Sequence, residues 1–305
     1  MKCLVTGATG FIGSFLVRKL LADGHQVHAV IRNPRPESTW RIADKLSEIG
    51  VLTADLSKSD LHQVFPDLKP DAVFHLAWDG VGSATRDSPQ QLVQNVNTTL
   101  QMLDFCRLTQ CPVFVGLGSQ AEYGIATGAL SEDSPCTPVT AYGVAKHALS
   151  LLVNKFGQVT ATRVLWFRLF SAYGPMDDPH HLIPLLVKML LAGKAPSLTR
   201  CEQRWDYLYV TDAVDALVSA ATSSATGIFN LGSGNAQPLL ETVESARDLV
   251  DPTLQIGFGD IPYRPDQVMH LEADITRLRE ATGWQPRVGL EEGLRATVAW
   301  YKENQ

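Results

Sequence analysis

Short apolar, β-branched runs alternate along the first half of the chain with stretches whose apolar positions recur every three to four residues. The runs at 3–6, 27–31, 51–54, 72–75, 113–117 and 162–167 read as strands, and the periodic stretches 12–22, 61–65, 91–108 and 141–156 as helices. Strands alternating with helices in this way form strand-helix-strand units, and right-handed crossovers then give an α/β fold with a doubly wound parallel sheet. Beyond Phe167 the punctuation changes: Pro175, Pro179, Pro184 and Pro196 interrupt the alternation, and helices at 183–191 and 239–250 stand among few strands. The pattern therefore predicts a first domain over 1–167 and a second, smaller mixed α/β domain over 168–204 and 231–305. Residues 205–210 and 213–221 read as a strand and helix that return to the main sheet, so that 205–230 rejoins the first domain.

Composition narrows the class without choosing an activity. With 305 residues, 45% of them apolar and 19% charged, the chain has material for a substantial core, and its net charge of −6 offers no basic surplus for nucleic acid. Only three apolar residues separate Lys2 from Thr6, too few for the core of a signal peptide. The most apolar stretch, 182–192, contains Pro184 and Lys188 and falls short of the roughly 20 residues a bilayer requires. A cytoplasmic protein with no membrane partner is expected. Cys3, Cys106, Cys111, Cys136 and Cys201 form no pair at zinc-ligand or redox spacing, so reduced thiols and no metal site are expected.

The chemistry begins at the first strand. Gly7-Ala8-Thr9-Gly10-Phe11-Ile12-Gly13 follows it directly and opens an amphipathic helix, the context in which glycines let a pyrophosphate approach the positive helix end. Gly7, Thr9, Gly10, Phe11, Ile12 and Gly13 are the candidate dinucleotide contacts. An NAD site usually has Asp or Glu at the end of the second strand, where it holds the ribose 2′-hydroxyl. Here that strand ends in Ile31-Arg32, and Arg32, helped by Arg35, offers a guanidinium fork to a 2′-phosphate, so NADP(H) is favoured over NAD(H). The alternative is that Arg32 is a solvated loop cation, which many strand ends carry. Asp55-Leu56, after the third strand, is placed to meet the adenine edge, though an Asp there can also cap the next helix. Tyr142 and Lys146 lie four apart on one helix face, where an ammonium favours the phenolate and equips the tyrosine for proton transfer. Ser119, after the strand 113–117, stands at the carboxyl edge of the sheet, with its hydroxyl available to a substrate oxygen.

Together Thr6-Gly-Ala-Thr-Gly-Phe-Ile-Gly13, Ser119-Gln-Ala-Glu-Tyr-Gly124 and Tyr142-Gly-Val-Ala-Lys146 resemble the extended short-chain dehydrogenase/reductases, of the epimerase/dehydratase type, over nearly the whole chain. The resemblance implies a Rossmann fold, with Tyr142 as proton donor or acceptor, Lys146 also on the nicotinamide ribose and Ser119 orienting a carbonyl. It further implies that Leu76, Ala77 and Trp78 lie beside the dinucleotide and that Asn95 is a structural helix asparagine. A homodimer through helices 91–108 and 141–156 is expected from the same source.

The second half resembles the nucleotide-sugar branch of that family in Arg168-Leu-Phe-Ser-Ala-Tyr-Gly-Pro175, Trp205-Asp-Tyr-Leu-Tyr-Val210, Tyr263-Arg-Pro-Asp266, Gly283-Trp284 and Leu290-Glu-Glu-Gly-Leu294. Arg264 then matches a phosphate contact. Ser171 replaces a more usual Asn, and Trp205 stands where an Arg is common, leaving Arg204 as the substitute. Trp78, Asp79, Gln120 and Glu122 are expected to face the sugar. Gln120-Ala121 lacks the Asp-Glu pair of the dehydratases, and Ile31-Arg32 lacks the acidic strand end usual in 4-epimerases with tightly bound NAD. The resemblance thus implies NADPH-dependent reduction of a nucleotide-activated 4-keto-6-deoxyhexose, with a 4-epimerase and a non-catalytic NAD(P)-binding sensor as the alternatives.

Overall fold

The structure, a computed structural model, describes residues 1–80, 87–126, 128–264 and 267–304, without the side chains of 90 and 91. Pro265 and Asp266 of the Tyr263–Asp266 motif lie outside the described residues. Seven strands form one parallel sheet: β1 (Lys2–Thr6), β2 (Gln26–Ile31), β3 (Gly50–Thr53), β4 (Ala72–His75), β5 (Val113–Ser119), β6 (Arg163–Leu169) and β7 (Gly227–Leu231). Their spatial order, β7-β6-β5-β4-β1-β2-β3, reverses direction between β1 and β4. Ligands of doubly wound sheets bind at the carboxyl ends of the strands at such a reversal. Register places Thr6 opposite both Val30 and His75, which brings the ends of β1 and β4 level.

Successive residues of a strand enter opposite layers, and both layers are apolar: Cys3 and Val5 join one core, Leu4 the other. The first core is closed by α1 (Phe11–Ala22), through Leu16, Val17 and Leu20, and by α5 (Val210–Thr222), through Ala213, Ala216 and Leu217. On the other face lie α2 (Gln90–Thr109), with Met102, Leu103 and Phe105, and α3 (Ala141–Val159), with Leu149 and Val153. A third core unites α4 (Leu182–Leu191), α6 (Leu239–Val250) and α7 (Leu290–Glu303) around Leu186, Val243, Leu294 and Tyr301. A doubly wound sheet with a smaller mixed region is the architecture read from the residues.

After 205 the expected helix at 213–221 does pack on the main sheet, within α5, but the expected strand does not. Tyr207–Tyr209 does not return to the main sheet; it pairs in parallel with Ser171–Tyr173. The reason is local packing: Tyr207 and Tyr209 set their rings edge-on to Tyr173 at 5.7 and 5.5 Å. The fully buried carboxylate of Asp206 holds this crossing by accepting from the backbone N–H groups of Ser233, Gly234 and Ala273. The strand that does rejoin the sheet is β7, which pairs with β6 from Gly227 to Leu231.

Candidate active site

The glycine turn is shaped by two close approaches. Gly7 adopts φ +72°, and a Cβ there would lie 2.6 Å from the Ala77 amide nitrogen, so this position needs glycine on both grounds. Gly13 packs as tightly, since its Cβ would collide with the Gly7 carbonyl. Gly10 caps α1 with no side chain, and the first turn of that helix contains no acidic residue. The positive helix end is therefore not neutralised by a side chain of its own first turn, which suits a pyrophosphate. Leu76 and Ala77 lie directly against Gly7, and Trp78 follows them. Arg32 is exposed just past β2, near enough to Asp55 to help hold that carboxyl below its ordinary range, although the hydrogen bond from Ser57 contributes most. Asp55 closes a turn on Ser57 at 2.7 Å, and the short helix Leu61–Val64 is capped by Asp60, so capping is not the role of Asp55.

Ser119 is the last residue of β5, which runs two residues further than its apolar run suggested, and it caps the turn Gln120–Glu122. Its Oγ accepts from the Ala121 N–H at 3.1 Å, so the hydroxyl proton is not used in that bond. Thr140 caps α3 by accepting from Gly143 N–H, and Gly143 lets the helix start approach the Ala121 carbonyl more closely than a Cβ would allow. This approach carries Tyr142 and Lys146 to the sheet edge. Lys146 Nζ donates to the Leu117 carbonyl at 2.6 Å and lies 3.6 Å above the Trp78 ring. The Tyr142 ring meets Trp78 edge-on at 5.5 Å, and Lys146 Nζ is 5.8 Å from the Tyr142 ring centre. Burial pushes the ammonium of Lys146 from its ordinary range down to about 7, against the opposing pull of Glu122.

Two supports of this arrangement escape a reading of the sequence. His75, buried at the end of β4, pairs with Thr6 Oγ1 at 2.8 Å and Thr99 Oγ1 at 3.1 Å, and burial pushes it down to about 3, so it stays neutral. Thr6 Oγ1 also accepts from the Ala77 N–H, which ties β1 to the loop bearing Trp78. Asn95 clamps Asp79, accepting from its N–H at 2.9 Å and donating to its carbonyl at 3.0 Å. Arg41, the second support, donates to the Thr9 carbonyl and to that of Met176, joining the glycine turn to the smaller region. Neither His75 nor Arg41 stands in a recognisable spacing; only the fold supplies their partners.

The expected sugar contacts are placed unequally. Gln120 begins the turn after Ser119 and is half-buried. Glu122 does not face an open cleft: it is fully buried, and its oxygens accept from Ser119 N–H, Trp166 Nε1 and Arg168 Nε. Ser171 and Trp205, the two departures from the family pattern, are partners, the indole donating to Ser171 Oγ at 2.7 Å. Arg204 is exposed and donates to the Ala236 carbonyl, while Arg264 is exposed beside Tyr263. Among the described residues no cluster of metal-ligating side chains occurs, and no helix is long and apolar enough to cross a membrane. All five cysteines are unbridged.

A family model described as NAD dependent epimerase/dehydratase family matches residues 3–232. UDP-glucose 4-epimerase of Mycolicibacterium smegmatis is 33% identical over 99% of both chains. dTDP-glucose 4,6-dehydratase of Neisseria meningitidis serogroup B is 27% identical, over 100% of this chain and 94% of its own. Among solved structures, MoeE5 in complex with UDP-glucuronic acid and NAD superposes with a TM-score of 0.87 at 30% identity, covering 100% of each chain.

Burial of Lys146 has a measurable cost. Its folded pKa of about 7 lies below the ordinary 10.5, so the native state gains stability as pH rises from about 7 to about 10.5, where only the unfolded chain still holds the proton. Replacing Lys146 by Met removes this penalty, most fully below pH 7. Denaturant unfolding is expected to show the variant's stability relative to wild type falling by on the order of 2 kcal/mol between about pH 6 and about pH 9. A difference that stays constant across this window contradicts the burial of a strained ammonium.

Proposed function

The chain belongs to the NAD dependent epimerase/dehydratase family, and from that premise we propose that it reduces the 4-keto group of a nucleotide-activated 6-deoxyhexose with NADPH. The observation that carries this choice is the end of β2, where Ile31-Arg32 replaces the carboxylate that would hold an unphosphorylated ribose. Arg32 offers paired donors to a 2′-phosphate, and a cofactor consumed in each turnover must exchange with the reductive pool. Gly7, Thr9, Gly10, Phe11, Ile12 and Gly13 would hold the pyrophosphate, Asp55 and Leu56 the adenine edge, and Leu76, Ala77, Trp78, Tyr142 and Lys146 the nicotinamide half. When bound, the cofactor supplies a hydride to the ketone carbon.

The residues around that carbon do the rest. Ser119 donates its uncommitted hydroxyl proton to the ketone oxygen, and Tyr142 gives its phenolic proton to the oxygen as negative charge develops there. Lys146, charged and fixed on the Leu117 carbonyl, stabilises the phenolate left behind. Gln120, Ser171, Arg204 and Arg264 are the proposed sugar and phosphate contacts. Elimination of water is disfavoured by this site, because Gln120 and Ala121 carry no acid and the carboxylate of Glu122 is spent internally. A second reading, a 4-epimerase with tightly held NAD, is favoured by the likeness to the mycobacterial UDP-glucose 4-epimerase.

Cofactor turnover and retention separate the readings. Loss of 340 nm absorbance of NADPH that depends on an added 4-keto-6-deoxyhexose nucleotide supports the reductase, NAD released from the purified protein only on denaturation together with interconversion of two 4-hydroxy sugar nucleotides supports the epimerase, and neither result leaves a non-catalytic sensor. Tyr142→Phe is expected to lower turnover by roughly 10²–10⁴-fold while cofactor binding persists; full activity in this variant overturns the proton assignment.

A homodimer is proposed as well. Val93 and Leu100 on α2, and Val144 and Leu151 on α3, recur at seven-residue spacing and are 64%, 42%, 40% and 56% exposed. Such paired apolar stripes are what two adjacent helices present to a second copy. Sedimentation should give a dimer for wild type and a folded monomer for Leu151→Glu; a monomeric wild type contradicts the assembly.

A further inference from the structure

Behind Ser119 lies a carboxylate with no exposed surface. Glu122 Oε1 accepts from the Ser119 N–H at 3.1 Å and the Trp166 indole at 3.0 Å, while Oε2 lies 2.9 Å from Arg168 Nε. Arg168 Nη1 continues to the Tyr123 hydroxyl at 2.9 Å, and that hydroxyl donates to Asn230 on β7 at 2.6 Å. Gly118 is part of the same fit, because a Cβ there would collide with Glu122 Oε1 and Trp166 Nε1. Burying an ion pair is a poor route to stability, since apolar residues of equal volume do as well or better. A buried carboxylate that grips the peptide of Ser119 has another use.

We infer that Glu122 is a positioning residue: it fixes the peptide carrying Ser119 and supplies the counter-charge that keeps Lys146 an ammonium. This rests on the reading of Tyr142 and Lys146 as the reacting pair. The charged and titratable neighbours come from four elements. Lys146 has Tyr142 and His147 on its own helix, His75 on β4 and Glu122 in the turn after β5; Glu122 has Arg168 on β6, His147 at 4.0 Å and Tyr123 beside it. Of these groups Glu122 alone is an anion. Lys146 Nζ lies 5.9 Å from the ring centre of Trp166, whose indole donates to Glu122 Oε1, so one side chain bridges the ammonium and the carboxylate, and the charge of Glu122 raises the proton affinity of Lys146 against burial. Arg168 is in turn held above its ordinary range, because Glu122 and Tyr123 outweigh the burial that would lower it. Reduction needs the protonated amine, so its rate falls as pH rises through the titration of Lys146, and loss of the Glu122 charge moves that fall to lower pH.

The test compares wild type, Glu122→Gln and Trp166→Phe by two readouts. One is the titration of the Lys146 amine, followed by NMR of protein labelled with ¹⁵N at lysine Nζ and assigned by its absence in Lys146→Met; the other is the alkaline limb of kcat/KM for the reduction. In Glu122→Gln both are expected to move down by about one pH unit, the effect of losing one nearby opposite charge. In Trp166→Phe, which keeps the carboxylate, both should stay in place. If Glu122→Gln does not fold, Glu122→Gln/Arg168→Met removes both charges together, and a downward shift smaller than that of the single variant is expected because a nearby cation is lost with the carboxylate. A folded variant whose Lys146 titration is unchanged overturns the inference, as does an activity loss equal at every pH. Absence of turnover in wild type would count against the reduction alone, because the amine titration still decides the role of Glu122.

Discussion

A lysine amine almost sealed from water is the constraint around which the site is organised. Lys146 has 5% of its surface exposed, and burial alone would strip its proton. What compensates is assembled from distant parts of the chain: the Leu117 carbonyl on β5, the face of Trp78 after β4, and the charge of Glu122. Each needs its own support. β5 must run on to Ser119, α3 must approach closely enough for Gly143 to touch Ala121, and the loop carrying Trp78 must be tied by Thr6, His75 and Asn95. The sheet reversal between β1 and β4 brings these pieces to one edge, beside the glycine turn.

How much of this could be read from residues alone follows from the range of the forces involved. Strands β1 to β6 and helices α1 to α6 are set by local apolar periodicity, and the residues display it. The glycine turn and the Tyr142–Lys146 spacing are likewise short-range, so their relation to strand and helix was legible. The return of the chain to the sheet was legible in its helix, since 213–221 lies within α5 against the sheet, but not in its strand: 205–210 reads as the returning strand, whereas Tyr207 and Tyr209 pack on Tyr173 and Gly227–Leu231 joins β6. Glu122 shows the same limit. A glutamate in a polar loop looks solvent-facing until Arg168 and Trp166, more than forty residues on, are placed beside it.

The pair of Ser171 and Trp205 carries a related lesson. Each looks like an isolated departure from a family pattern, yet the two side chains bond to each other across two elements of the smaller region. These departures are thus accommodated locally, while the edge bearing Ser119, Tyr142 and Lys146 keeps its supports. In this chain the glycine turn, Ser119, Tyr142 and Lys146 argue for nicotinamide chemistry, and the absence of a carboxylate after β2 argues for a cofactor that arrives, reacts and leaves.

The direct test of this account is the fate of the hydride. Incubation with NADPH carrying deuterium at both C4 positions and a nucleotide-activated 4-keto-6-deoxyhexose, followed by mass spectrometry of the product, should find one deuterium at the former ketone carbon for each NADP⁺ formed. A product without deuterium, or interconversion of two 4-hydroxy sugars with the label never leaving the medium, would contradict it.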